Sequence, residues 1–184
     1  QRARTASLAE LAAATGDETS LSAALDILAA GLLDVALKTG DDDERYAVRD
    51  AVYGGVLIVP SEFGNDRYND HHFQYAYLIR AAATLMELDP EFAQSESGKV
   101  ISQLVDALVV GITGVGAGAP GVRVWNAYEG HSYATGIADS GAGPNQESSS
   151  EAAHAWESIA RWAAVNGNQE LLDSSLALWT LETD

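Results

Sequence analysis

The chain reads as an all-α fold built from successive helical hairpins, in the manner of an α/α toroid or solenoid whose loops at one end build a site. Three observations support this. Apolar residues recur at spacings of 3 and 4 through most segments. The junctions Ala14-Thr15-Gly16-Asp17 and Val165-Asn166-Gly167-Asn168 are alike: a helix end, a glycine suited to the left-handed position, then a polar cap. The stretch 122–146 has no helical period and is rich in glycine and aromatic residues, and long irregular segments inside compact domains usually carry function.

Taken in order, residues 5–15 form a short amphipathic helix that ends at Gly16. Residues 19–38 form a longer one, with Thr19 or Ser20 as N-cap and Lys38 near the negative end of its dipole. Leu21, Leu25, Leu28, Leu32 and Leu33 make its apolar stripe. Gly40 to Glu44 is a solvated acidic turn. Residues 46–60 carry β-branched and aromatic residues around Gly54-Gly55 and close at Pro60, which predicts an extended strand or hairpin. A loop over 61–67 leads into a helix over 69–88, ended by Pro90. The next helix spans 91–113 through Val100, Ile101, Leu104, Val105, Leu108 and Val109. Residues 114–121 (GVGAGAPG) form a loop. Helices over 147–165 and 168–182 complete the chain.

The 184 residues fit one domain, and 47% hydrophobic content supports a core. With 27 acidic against 10 basic residues, the net charge is -17, so nucleic acid and anionic membrane surfaces are poor partners. A neutral ligand such as a sugar, or a cation, is compatible with that field. There is no cysteine, hence neither disulfide nor thiolate chemistry. No apolar run reaches 18 residues, so no transmembrane helix is expected. The first residues lack the apolar core of a signal peptide, and both ends look cut, which predicts a piece of a longer polypeptide.

Two polar stretches stand out. In Asn69-Asp70-His71-His72-Phe73-Gln74-Tyr75, Asn69 is placed as helix cap and Asp70 in the first turn, with Gln74 and Tyr77 on its face. Asp70 then either complements the helix dipole or serves a site. His71 and His72 are equally readable as satisfied core histidines. In Asn145-Gln146-Glu147-Ser148-Ser149-Ser150-Glu151, three serines suit a first helical turn better than an interior. If that turn is helical, Glu147 and Glu151 share a face and repel unless a cation, a proton or a substrate uses them. Glu151-x-x-His154 is half of a dimetal carboxylate motif, but no second Glu-x-x-His occurs. Trp125, Tyr128, His131 and Tyr133 suit sugar recognition, because pyranose rings offer apolar C–H faces to aromatic platforms; they equally serve to pin the loop.

These stretches resemble a known family. Tyr68 to Tyr77 (YNDHHFQYAY) is similar to the Asp-His-His-Phe-His-Tyr-Gly-Tyr signature of glycoside hydrolase family 81, the endo-β-1,3-glucanases. Tyr128 to Gly136 (YEGHSYATG) resembles its Tyr-x-Gly-His-Ser-Trp-Ala-Ser-Gly block, and Asn145 to Glu151 matches its Asn-Gln-Glu-Ser-Ser-Ser-Glu run. The resemblance implies an inverting endo-hydrolase of β-1,3-glucan, secreted, acting without metal or other cofactor. It also implies an (α/α)6 barrel with a β-sandwich upstream, of which residues 1–184 are a single fragment, expected to be a monomer. It carries the general acid to Asp70, the base to Glu147 and a supporting carboxylate to Glu151, with His72, Gln74, Trp125, Tyr128 and His131 as substrate-binding residues. Gln74 stands where the family has a histidine, and His154 where it has asparagine. Two rival readings are a glucan-binding module without activity and a carboxylate–metal helical protein.

Overall fold

The computed structural model describes residues 2–40, 43–113, 122–136, 143 and 145–184. Helices α1 (Arg2–Thr15) and α2 (Glu18–Ala36) form the first hairpin. Gly16 turns the chain at φ 71°, where a glycine costs least. So short a connection moves the cap of α2 to Asp17, whose side chain accepts from the N–H of Ser20 at 3.1 Å; neither Thr19 nor Ser20 takes that role. α2 also stops earlier than expected, which leaves Lys38 outside the helix and over the ring of Tyr46.

Strands β1 (Tyr46–Arg49) and β2 (Val56–Val59) pair antiparallel, Tyr46 facing Val59 and Arg49 facing Val56, so the expected hairpin forms. A single 3-10 turn (Asn65–Arg67) precedes α3 (His71–Leu88). The helix expected over 91–113 is two, α4 (Pro90–Gln94) and α5 (Glu96–Thr113). Ser95 divides them. Its backbone is extended, its hydroxyl donates to Phe92 O at 2.6 Å and accepts from the N–H of Gly98 at 3.0 Å, ending one helix and capping the next. The expected loop over 114–121 lies outside the described residues. Within 122–146, β3 (Trp125–Asn126) and β4 (His131–Ser132) make a two-residue ladder that the aperiodic sequence did not announce. α6 (Ser149–Val165) and α7 (Gln169–Thr183) form the last hairpin, turned by Gly167 at φ 66°.

α3 is the axis of the core and packs against α1, α2, α5 and α6. Ala81, Ala82 and Ala83 are fully buried along it, and their small side chains let neighbouring helices approach closely. α6 supplies Trp156, Ile159 and Trp162 to the same core, and the Trp162 indole donates to Asp106 of α5 at 2.8 Å. α3 and α6 run in the same direction, because Tyr77 meets Glu151 and Arg80 meets Glu157 in ascending order. Glu10 of α1 ties both together: it accepts from Arg80 at 2.8 Å and from Arg161 at 3.3 Å.

α2 is long and apolar enough to cross a membrane by length and composition alone. Here it packs on α1, α3 and α5 through Ala24, Leu28, Leu32 and Val35. The parallel course of α3 and α6 is what matters for the site. It brings the starts of both helices, and the polar stretches preceding them, to one end.

Candidate active site

Three segments distant in sequence meet at that end. The N–H of Asp70 donates to Ala134 O at 2.9 Å, and the N–H of Ala134 donates to Asn145 O at 2.8 Å. Side chains reinforce this ladder: Phe73, Ala134 and Ala152 form a small buried apolar cluster, one residue from each segment. The N–H of Gly136 donates to Asn69 Oδ1 at 2.7 Å. A Cβ at Gly136 would fall 2.1 Å from the carbonyl carbon of Tyr68, so only glycine permits this approach.

Asp70 does not sit in the first turn of α3. It is the N-cap residue itself, in the left-handed region at φ 54°, and its carboxyl makes no capping bond. Tyr68 is also left-handed, at φ 66°. Each such residue costs on the order of 1–3 kcal/mol and persists only where the surroundings over-determine it. Here the Ala134 and Gly136 contacts do so. Asn69 is accordingly engaged with Gly136 rather than capping the helix. The consequence is chemical: a carboxyl turned away from the helix N–H groups escapes the dipole stabilisation that a first-turn position would give its ionised form.

Glu147 is likewise outside its helix. The chain stays extended through Ser148 (φ -143°, ψ 94°), which precedes α6 and makes no side-chain cap. Ser149 and Ser150 occupy the first turn, as does Glu151. Glu147 and Glu151 therefore do not share a helical face. The ladder bond to Asn145 O holds the preceding chain extended, and it is the cleft that brings the two carboxylates together.

A cleft of about 640 Å³ is lined by Asp70, Gln74, Tyr77, Glu147 and Glu151, with Phe63, Phe73 and Leu78 among its apolar walls. Asp70 is pushed up to about 6, by partial burial first and then by the negative charges of Glu147 and Glu151. Tyr77 donates to Glu151 Oε1 at 2.7 Å, and this bond, followed by burial, pushes its phenol up to about 12. Gln74 donates to Glu62 O at 3.0 Å, fixing its amide on the cleft wall. Asn145 Nδ2 approaches Glu147 Oε2 at 3.4 Å. The arrangement offers one carboxyl inclined to hold a proton and two exposed or half-exposed carboxylates beside it.

The other residues singled out in the sequence lie elsewhere. His72 is fully buried, its Nε2 3.2 Å from Ser132 Oγ and its ring beside Phe73 and Trp156; burial pushes it down to about 3, so it is a neutral core imidazole. Trp125 packs edge-on to Trp156. Tyr128 is 94% exposed, in the turn between β3 and β4, and His131 bonds Ser132 O at 2.7 Å. None of these four lines the cleft. His71 is also buried, held by Asn65 O at 2.8 Å. Tyr77 has a closer claim to the site than any of them. It falls three residues after Gln74, on the same helical face, and that spacing was the available signal. Among the described residues, no three His, Cys, Asp or Glu side chains gather as a metal site.

Comparison with known proteins places the chain in its class. The C-terminal domain of glycosyl hydrolase family 81 matches residues 32–183, and the chain belongs to this family. It is 37% identical over 125 residues to a glucan endo-1,3-beta-D-glucosidase of Acetivibrio thermocellus, covering 67% of this chain and 16% of that protein. It is 30% identical over 125 residues to the primary septum glucan endo-1,3-beta-D-glucosidase of Schizosaccharomyces pombe, covering 66% of this chain and 12% of that one. The chain thus spans well under a fifth of these relatives. A solved family 81 glycoside hydrolase of Clostridium thermocellum, studied as a mutant, superposes with a TM-score of 0.84 at 29% identity, covering 98% of this chain and 26% of that one.

The elevated Asp70 makes a stability prediction. Its folded-state value, about 6, lies above the usual aspartate value of 3.8, so the stability contributed by its protonated form is lost as pH rises through that interval. Above pH 6 the folded protein must hold an ionised Asp70 beside Glu147 and Glu151. Asp70→Asn should therefore raise the thermal midpoint at pH 7.5, and the gain should vanish near pH 3.5. A gain equal at both pH values, read by calorimetry, would show that burial and the neighbouring carboxylates do not together raise the Asp70 pKa.

Proposed function

We propose that the chain is a fragment of the catalytic domain of an endo-acting hydrolase that cleaves β-1,3-glucan with inversion at the anomeric carbon. One observation carries this reading: three carboxyl groups from two sequence segments line a single cleft, and the environment of one of them favours its protonated form. Two carboxyls flanking a scissile bond, one protonated and one ionised, are what glycoside inversion requires.

Asp70 is the general acid. It donates its proton to the glycosidic oxygen as the bond to the anomeric carbon breaks, and its raised pKa keeps it protonated in mildly acidic solution. Glu147 is the general base. It takes a proton from a water that attacks the anomeric carbon from the opposite face, so the bond forms where no leaving group stood. Glu151 is the supporting carboxylate, oriented by Tyr77, and it helps to keep the proton on Asp70. Gln74 is the substrate-binding residue on the cleft wall. His72, Trp125, Tyr128 and His131 lie outside that wall.

The relatives named for glucan endo-1,3-beta-D-glucosidase activity support the substrate class. Within this reading residues 1–184 form one part of an (α/α)6 barrel. A β-sandwich precedes it and the remaining helices complete it, in a secreted monomer. The parallel α3 and α6, each joined to a hairpin, are consistent with inner helices of such a barrel.

Two experiments test the roles, in a polypeptide carrying the complete catalytic domain. Glu147→Gln keeps the shape and removes the base, so turnover of laminarin should fall by about 10²–10⁴-fold while oligosaccharide binding persists. Turnover within a few-fold of the parent would show that another group activates the water. Glu151→Gln removes one of the charges that raise Asp70. The alkaline limb of the pH–rate profile, set by loss of the Asp70 proton, should then move to lower pH. An alkaline limb that stays in place would detach Glu151 from the acid.

A further inference from the structure

Glu182, in the last turn of α7, is buried at 8% exposure and lies outside the cleft. Its carboxylate collects three N–H donors. Oε2 accepts from the backbone N–H of Ser132 at 2.9 Å and from the indole of Trp156 at 3.1 Å, and Oε1 accepts from Gln146 Nε2 at 3.2 Å. Among the described residues none of these partners carries a positive charge. Burying an anion on neutral donors is a costly way to join helices, and apolar packing would serve stability as well. What a carboxylate adds is directional: it only accepts, so Gln146 must present its NH2 group and cannot turn its amide over.

Gln146 immediately precedes Glu147, in the extended chain that no helix supports. On its other side Asn145 is anchored by Ala134. The segment carrying Glu147 is thus tethered before it, where Asn145 accepts from the Ala134 N–H and the Thr135 hydroxyl, and beside it, by the Gln146–Glu182 bond. Ser132 belongs to the same arrangement, since its N–H meets Glu182 and its hydroxyl meets His72, two residues from Asp70.

We propose that Glu182 is a positioning residue for the base: through Gln146 it sets the place of the Glu147 carboxylate, from the far end of the chain and without touching substrate. The inference rests on Glu147 being the base. Misplacing a catalytic group by about 1 Å can cost about 10²-fold, so cutting the tether acts on turnover rather than on binding.

The test uses the complete catalytic domain and laminarin. Gln146→Ala removes the tether and leaves the buried bonds to Ser132 and Trp156 in place. It should lower kcat about 10- to 100-fold, with KM within about twofold and the thermal midpoint unchanged. Glu182→Gln keeps an oxygen for the two buried donors and turns an NH2 toward that of Gln146. It should lower kcat in the parent, but add nothing in the Gln146→Ala background. Full kcat in Gln146→Ala, or a Glu182→Gln loss that persists undiminished in the double variant, overturns the proposal. Glu147→Gln run alongside separates the two levels. If it lowers turnover by orders of magnitude while Gln146→Ala keeps the parent kcat, positioning by Glu182 fails and the base assignment stands. If it leaves turnover intact, the base assignment fails and the positioning role falls with it.

Discussion

Asp70, Ala134 and Asn145 are far apart in the chain, yet two backbone hydrogen bonds join them in series. Each bond is worth only about 1 kcal/mol net, but their position gives them weight. The first holds Asp70 in a left-handed conformation that would otherwise relax into the helix. The second keeps the chain before Glu147 extended instead of letting α6 start earlier. The Phe73, Ala134 and Ala152 cluster shields this ladder, and Gly136 lets the loop lie directly on the Tyr68 backbone. Without the ladder, Asp70 becomes a first-turn residue and Glu147 a helical one, and the cleft loses the relation between them.

Electrostatics follow from that placement. Asp70 gains no helix N–H partner, loses water to partial burial, and faces two carboxylates across the cleft. Each effect disfavours its charge, and together they favour a proton on a group that is ordinarily ionised. The chain spends stability on this, since three carboxyl groups near one another repel at neutral pH. The compensation lies behind the site, in the α3–α6 core and in Glu10, which binds arginines from both helices. A rigid helical frame carrying a strained, repulsive rim is a common division between stability and function.

Much of this was readable in the sequence, and the failures have physical causes. Helical periodicity and the glycine junctions at Gly16 and Gly167 identified the hairpins, because those signals are local. The two polar stretches at Asp70 and Glu147 stand out in the sequence, but it is the family resemblance, more than local physics, that joins them to the block over 128–136. The break at Ser95 was missed because a single hydroxyl redirected two backbone bonds inside an otherwise periodic run. Asp70 and Glu147 were assigned to helical turns because local rules favour that, and only the long-range ladder through Ala134 overrides them. The resemblance made His72 and Trp125 substrate contacts; the fold buries His72 and leaves Trp125 half-buried, both packed on Trp156 and outside the cleft lining. Glu182 left no trace, since nothing near it in sequence distinguishes it from any acidic residue at a helix end.

The central claim is that Asp70 and Glu147 act from opposite sides of one glycosidic bond, which fixes the stereochemistry of the product. Proton NMR of the first sugar released from laminarin by the complete catalytic domain, recorded before mutarotation, reads this directly. The account predicts that the new reducing end appears first as the α-anomer. A first-formed β-anomer would mean retention, and would contradict the separate acid and base roles on which the account stands.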